Sequence, residues 1–330
     1  MDILQDPFGR RIDYARLSLT DRCNLHCAYC RPKQGEASPS CPPKRQLLTP
    51  REWHRLIEVM AELGIRKLKL TGGEPLLYPE FDEVLRIAKQ TEGIEQVTLT
   101  TNGIKLAEHL PLCKEVGING INISLDALDE ELFYTITGRH GAKQVLAAVQ
   151  ASLDVGIPTK LNAVIIPGIN ESQILPLAAL AETRPLAVRF IEMMPLGIGG
   201  RYGRVNGEEI RRRLEEVYGP LTEDETKRGN GPARYLRAAG MKGSIGLIDP
   251  VSHAFCGQCN RIRIQSNGDL QLCLVQDSAI SLGQVIKEKD RDRLRAAFSR
   301  AIRQKPAAHD FENTLAAQPA KSRQMWQIGG

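Results

Sequence analysis

Six short runs of strand-forming residues, 14–20, 67–71, 96–101, 120–125, 159–165 and 186–191, recur along the first two-thirds of the chain, separated by stretches with helical periodicity. A strand that returns parallel to its predecessor needs a crossover of about a dozen residues or more, and a helix supplies it. The alternation therefore dictates an α/β chain with a parallel βα array, either an open doubly wound sheet or an incomplete barrel. Local signals sharpen some boundaries. Thr49 stands before Pro50 and three residues before Glu52, the pattern of a capping box with proline in the first turn. Helices are also expected over 81–89 and 143–155, the latter stopped by Gly156. Both architectures place chemistry at the C-terminal ends of the strands. There Thr20 leads towards Cys23, Thr71 into Gly72-Gly73-Glu74-Pro75, and Thr101 into Asn102-Gly103.

A polar, glycine-bearing stretch at 222–231 reads as a boundary loop. Residues 1–222 are expected to form the βα unit and 223–330 a smaller region of different character. That region carries β-like pieces at 244–248 and 261–265 and a basic helix over 287–303. No repeat beyond the βα alternation and no low-complexity segment is evident.

Of the eight cysteines, six form two triplets, Cys23, Cys27 and Cys30, then Cys256, Cys259 and Cys273. A chain of 330 residues buries a sizeable core without covalent staples, so a disulfide framework is not called for. A four-iron cube ordinarily takes four thiolates, and three leave one iron open to a non-protein ligand. Structural zinc would need a fourth protein ligand at each triplet, and His26 and His253 stand near enough in sequence to supply one. Spacing alone leaves that open. Cys113, in an apolar helical stretch, reads as a core residue, and Cys41 lies in a loop, 33–45, to which no role is assigned.

With 44 basic and 39 acidic residues the net charge of +5 is too small and too dispersed to announce a nucleic-acid binder. The N-terminal stretch carries Asp2, Asp6 and Arg10 without an apolar run, and no later run reaches membrane-spanning length, so no membrane partner is expected. The cytoplasm, a reducing compartment, suits free thiols. The placement of the basic residues says more than their number. Lys69 interrupts Leu68 and Leu70, Lys160 precedes Leu161, Arg189 separates Val188 from Phe190, and Arg16 lies in the first strand. Arg261 and Arg263 alternate around Ile262 and so share one face. A charge inside a core strand is costly unless satisfied. Singly, each could point outward or pair with an acid such as Glu192. Several converging from different strands towards one mouth fit a polyanionic ligand.

Cys23-x-x-x-Cys27-x-x-Cys30, with Tyr29 before the last cysteine, resembles the signature of radical S-adenosylmethionine enzymes. Gly72-Gly73-Glu74-Pro75 after the next strand strengthens it, the glycines reading as room for backbone groups to approach the methionine amino group. The second triplet, as Cys256-x-x-Cys259-Asn260-Arg261-Ile262-Arg263 and Cys273-Leu274, together with the terminal Gly329-Gly330, narrows the resemblance to the GTP 3′,8-cyclase family. It covers essentially the whole chain from Phe8-Gly9-Arg10 onward. It implies an incomplete (β/α)6 barrel of the radical SAM kind with a smaller C-terminal α+β cluster-binding region.

The resemblance also implies two 4Fe-4S clusters, the first engaging S-adenosylmethionine and the second holding the guanine of GTP. A deoxyadenosyl radical then takes hydrogen from ribose C3′, and that carbon attacks guanine C8 in the first step towards molybdopterin. Arg16, Lys69, Thr100, Lys160, Arg189, Arg261, Ile262 and Arg263 carry over as GTP contacts, and Tyr29, Gly73, Ser124 and Met194 as S-adenosylmethionine contacts. Arg261, Arg263, Gly329 and Gly330 carry over as catalytic, the diglycine inserting near the active site. Implied partners are an electron donor of flavodoxin or ferredoxin type, cyclic pyranopterin monophosphate synthase as recipient of the product, and a second copy of the chain in a homodimer. Arg31 departs from the family, which often has methionine there, and Lys69 stands where arginine also occurs. The nearest rival is a peptide-modifying maturase, a group that commonly carries more C-terminal cysteines. A non-enzymatic metal scaffold would leave Gly72-Gly73-Glu74-Pro75 and the strand cations unexplained.

Overall fold

The computed structural model describes residues 3–31, 46–226, 228–276, 279–309, 311 and 325–328. Six strands form its framework: β1 (Tyr14–Ser18), β2 (Lys67–Thr71), β3 (Gln96–Thr101), β4 (Gly120–Ser124), β5 (Thr159–Ile165) and β6 (Ala187–Glu192). They neighbour one another in chain order and in parallel. The connections hold α1 (Pro50–Glu62), α2 (Phe81–Gln90), α3 (Leu106–Glu115), α4 (Glu130–Thr137), α5 (Ala142–Asp154) and α6 (Ile174–Thr183), and α7 (Gly207–Tyr218) follows β6. The expected capping box is present, since Thr49 accepts from Glu52 N and Glu52 reaches back to Thr49 N at 2.7 Å.

Side chains alternate across each strand, and the two faces have different environments. Leu68 and Leu70 of β2, Val97 and Leu99 of β3, and Val188 and Phe190 of β6 are buried in the main hydrophobic core with residues of the helices. Their neighbours Lys69, Thr98, Thr100 and Arg189 line an internal cavity. A polar lumen therefore sits inside an apolar shell.

After α7 the chain returns to both edges of the same sheet. β9 (Ser244–Ile248) pairs in parallel with β6, and β10 (Arg261–Ile264) in parallel with β1. Short antiparallel strands extend them, β8 (Arg234–Arg237) and β7 (Thr222–Glu223) beyond β9, β11 (Asp269–Gln271) and β12 (Ile280–Ser281) beyond β10. The order β12-β11-β10-β1-β2-β3-β4-β5-β6-β9-β8-β7 is an incomplete barrel whose two ends are not joined by hydrogen bonds. The stretch 222–231 enters the hairpin β7–β8, so the sheet continues through it.

The single basic helix expected over 287–303 is two, α8 (Gly283–Lys287) and α9 (Arg291–Ile302). Lys289 breaks it with φ of 62°, and Asp290 caps the new helix by accepting from Arg293 N at 2.9 Å. A last turn, α10 (Met325–Ile328), lies near the C-terminus. Among the described residues no helix is long and apolar enough to cross a membrane.

Candidate active site

Strand direction places the two cysteine triplets. The first follows β1, at the C-terminal end of the sheet. Cys256 and Cys259 precede β10, which runs parallel to β1 with Tyr14 opposite Arg261 and Leu17 opposite Ile264. They therefore lie at the N-terminal end. β11 runs antiparallel to β10 and brings Cys273 back to that same end. The first triplet, Gly72-Gly73 and Asn102 thus lie at the strands' C-terminal ends as expected, while the second triplet lies at the other end. A cavity of about 730 Å³ runs between the two ends.

Arg16, Lys69, Lys160, Arg189, Arg261 and Arg263 all line this cavity. Arg16 stands opposite Lys69 on one side and Arg263 on the other. Burial, then the charges of Arg16, Arg189, Lys160 and Arg261, hold the Lys69 ammonium well below its ordinary value. Arg263 is lowered by burial and by Arg16 and Arg261, and Lys160 falls to about 8 through burial, Arg189 and Arg228. Thr100 lies on the same wall, its hydroxyl accepting from Asn122 Nδ2 at 3.4 Å. Ile262 faces the other way, fully buried in the hydrophobic core, and is not among the residues that line the cavity.

The carboxylates on the wall are committed elsewhere. Glu192 accepts from Val251 N and Ser252 N, each at 3.0 Å, and so organises the loop after β9. Glu74 accepts from Thr101 Oγ1 and Asn102 N, each at 2.7 Å, and burial pushes it up to about 7. Asp126 accepts from the Tyr29 hydroxyl at 2.7 Å and Val164 N at 2.8 Å, and burial pushes it up to about 6.

Cys23, Cys27 and Cys30 line the cavity, joined by Tyr29, Gly73, Ser124 and Met194. Cys23 Sγ receives Leu25 N at 3.5 Å and Asn102 Nδ2 at 3.8 Å. Burial raises all three thiols, Cys30 to about 12, so they need a cationic centre to hold them as thiolates. Soft sulfur donors with N–H groups aimed at them fit an iron–sulfur cluster. Among the described residues no three His, Cys, Asp or Glu side chains gather to hold a single metal ion.

The glycines also have a packing reason within the fold. A Cβ on Gly73 would lie 2.3 Å from Arg22 O, and one on Gly72 2.7 Å from Thr20 O. Their missing side chains let the cysteine loop pack directly on the end of β2.

The second triplet sits behind the wall, with Phe255, Arg261 and Leu274 exposed to the cavity. Two cations missed in the sequence hold it. Lys305, 3% exposed, donates to Leu272 O at 2.6 Å and Arg261 O at 2.9 Å and stands 3.7 Å from Cys259 Sγ. Burial alone would raise the Cys259 thiol, but Lys305, Arg261 and Arg10 outweigh it and hold the thiol below its ordinary value. Arg10, paired with Asp6, donates to Cys256 O and Ala307 O, each at 2.7 Å. His309 N points at Cys256 Sγ at 3.5 Å. Only the Asp6-to-Arg10 spacing offered a sequence signal.

The described part of the tail also reaches the cavity. Met325 packs against the cluster of Leu196, Val275 and Phe311, as Met194 does, and Arg31 lies 4.5 Å from the centre of the Trp326 ring. The Trp326 main-chain N–H is directed at Cys30. Gly329, Gly330, Cys41 and the 33–45 loop lie outside the described residues. Cys113 is buried in the core, as expected.

Comparison with known proteins agrees with this geometry. Residues 17–181 match the Radical SAM superfamily, and residues 186–311 match Molybdenum Cofactor Synthesis C. A curated protein of Moorella thermoacetica named GTP 3′,8-cyclase is 41% identical, covering 99% of this chain and 100% of its own. The chain belongs to the GTP 3′,8-cyclase family. A second member, from Syntrophomonas wolfei, is 39% identical over 98% of this chain and 99% of its own. This match includes the C-terminal region and sets aside the maturase and scaffold readings. Streptococcus suis SuiB, solved with S-adenosylmethionine bound, shares the fold at a TM-score of 0.61 and 16% identity, covering 90% of this chain and 69% of that one. Membership in the radical SAM superfamily brings S-adenosylmethionine and an iron–sulfur cluster as cofactors.

Proposed function

We propose that the protein converts GTP to (8S)-3′,8-cyclo-7,8-dihydroguanosine 5′-triphosphate, the first step towards molybdopterin, with one 4Fe-4S cluster on each cysteine triplet. The observation that carries this reading is a cation-lined cavity that opens on the first triplet and is walled by Phe255, Arg261 and Leu274, neighbours of the second triplet, at the other end of the sheet. When bound, the first cluster and S-adenosylmethionine would supply a carbon radical able to take hydrogen from ribose C3′, leaving C3′ to join guanine C8, and one electron from the reductant with one proton would complete the dihydro product.

The chain's own task is positioning. Arg16, Lys69, Lys160 and Arg189, with Thr100, offer donors to the triphosphate. Arg261, Arg263 and the Ile262 main chain hold the end of the substrate beside the second triplet. Tyr29, fixed by Asp126, shares the opposite end with Gly73, Ser124 and Met194, the group proposed for S-adenosylmethionine. Gly329 and Gly330 follow α10, whose Trp326 lies against the first triplet's loop, and with Arg261 and Arg263 they form the proposed catalytic set. In this reading 1–222 is the barrel region and 223–330 the region of the second cluster. The cytoplasm as location, a flavodoxin- or ferredoxin-type electron donor, transfer of product to cyclic pyranopterin monophosphate synthase and a homodimer complete it, on family grounds.

The test is anaerobic reconstitution followed by incubation with S-adenosylmethionine, dithionite and GTP. The expected outcome is 5′-deoxyadenosine and the cyclic nucleotide appearing in step. Deoxyadenosine without GTP consumption would move the substrate elsewhere, and neither product from cluster-loaded protein would overturn the assignment.

A further inference from the structure

The cavity extends past the strand cations to the N-terminal ends of the strands, at Gln96, Asn119, Pro158 and Pro185. There the loop of the hairpin β7–β8 forms its floor, contributing Arg228 and Asn230. Asn230 Nδ2 fastens the loop to Gln96 Oε1 at 2.6 Å, and Lys160 Nζ donates to the Arg228 carbonyl. Gly229 has φ of +103°, and a Cβ there would come 2.7 Å from Lys160 Nζ, so glycine makes room for the ammonium. The Arg228 guanidinium is only partly satisfied. Its Nη2 donates to Asp224 Oδ2 at 2.7 Å, while its Nε is buried with no hydrogen-bond partner. Its charge acts on the adjacent Lys160.

We propose that Arg228, carried on this floor loop, binds the terminal phosphate of the nucleotide and makes the hairpin the element that selects a triphosphate over a mono- or diphosphate. The inference rests on the GTP reading and adds a residue outside the strand cations. The second triplet and the floor loop occupy the same end of the sheet, the triplet by β1 and β10, the loop below β3 to β6. A nucleotide with its base at the triplet therefore lays its phosphates across the floor, past Lys160 and Arg189, to the open edge of Arg228.

Arg237 provides the control, because it also pairs with Asp224, at 3.4 Å, but its side chain is 43% exposed. Cluster-loaded full-length protein is titrated calorimetrically with GTP, GDP and GMP. Arg228→Ala is expected to weaken GTP binding about ten- to a hundredfold and GMP binding less than about twofold. Arg228→Lys recovers part of the loss, and Arg237→Ala keeps the wild-type GTP-to-GMP ratio. An unchanged ratio in Arg228→Ala, whether affinity is retained or falls alike for all three nucleotides, overturns the proposal and leaves the GTP reading standing. Wild-type protein that binds GTP no better than GMP overturns both.

Discussion

Replacing Gly73 with alanine should separate the two halves of the chemistry. The new methyl would stand 2.3 Å from Arg22 O, 2.7 Å from Arg22 C and 2.8 Å from Asp21 O, whereas ordinary contact begins near 3.4 Å. The two backbones must part by about 1 Å. They are tied by Gly73 N to Thr20 O and Glu74 N to Arg22 O, each at 2.7 Å, so the strain falls on a hydrogen-bonded junction. Overpacking costs about 1–3 kcal/mol and each of the two weakened hydrogen bonds about 1 more, for a total of roughly 3–5 kcal/mol. A domain in the upper part of the usual range of about 5–15 kcal/mol remains folded under that load, which circular dichroism of the variant checks. The cysteine loop moves, and a 1 Å displacement at a reacting centre costs about a hundredfold in rate. After anaerobic reconstitution the variant should hold about four irons per chain in place of about eight, and cleave S-adenosylmethionine at least about a hundredfold more slowly. GTP affinity, measured by calorimetry, should stay within about threefold. Full iron loading with near wild-type cleavage would refute the claim that the close approach at Gly73 sets the cysteine loop.

Lys305→Met should give the mirror image, leaving Leu272 O and Arg261 O without their donor and Cys259 without its cation. Iron should again fall to about four per chain, with substrate-independent S-adenosylmethionine cleavage retained. Unchanged iron would count against it. Lys160, near 8 in the ligand-free protein, is one of the depressed bases of the cavity and loses charge as pH rises through that value. GTP binding should weaken between about pH 7 and pH 9, by at most about tenfold per unit, and Lys160→Arg should flatten the profile. The ligand-free protein should gain stability from about pH 8 up to the ordinary lysine value of 10.5, because its unfolded chain holds that proton more tightly. Trp326→Ala should lower cyclic-product formation about tenfold with iron content unchanged, since it removes the Arg31 contact that seats the tail. Equal turnover would exclude that role.

The strands of the framework were legible because each pairs with its sequence neighbour, so pattern and topology coincide. β9 and β10 were legible as β-like pieces, but their pairing with β6 and β1 was not. Non-local pairing leaves no periodic trace, and two-residue strands such as Thr222–Glu223 have too few residues to show one. The strand cations stood out for a physical reason, since Lys69 between Leu68 and Leu70 contradicts an apolar alternation. Arg228 in a loop and Lys305 after a basic helix contradict nothing, so only the fold reveals that one faces the lumen and the other is buried. The glycine pair was legible as a motif, whereas its cause, the backbone of residues 20–22, depends on a loop position that no spacing encodes.

A net charge of only +5 over 330 residues gives no hint of a strongly positive cavity, and the structure shows how one arises. The cations are pooled from β1, β2, β5, β6 and β10, while the carboxylates on the same wall are withdrawn into local duties: Glu74 at Asn102, Asp126 at Tyr29, Glu192 at Val251. Each withdrawn carboxylate leaves the lumen less able to neutralise itself, which is why burial and mutual repulsion depress Lys69, Lys160 and Arg263 together. That penalty is relieved only when a polyanion enters, so part of its binding energy comes from repulsion already present in the ligand-free protein. The same pairings that hold the cysteine loop and the Tyr29 ring in place keep the cavity positive, and this ties the geometry of the first triplet to the electrostatics of the proposed substrate site.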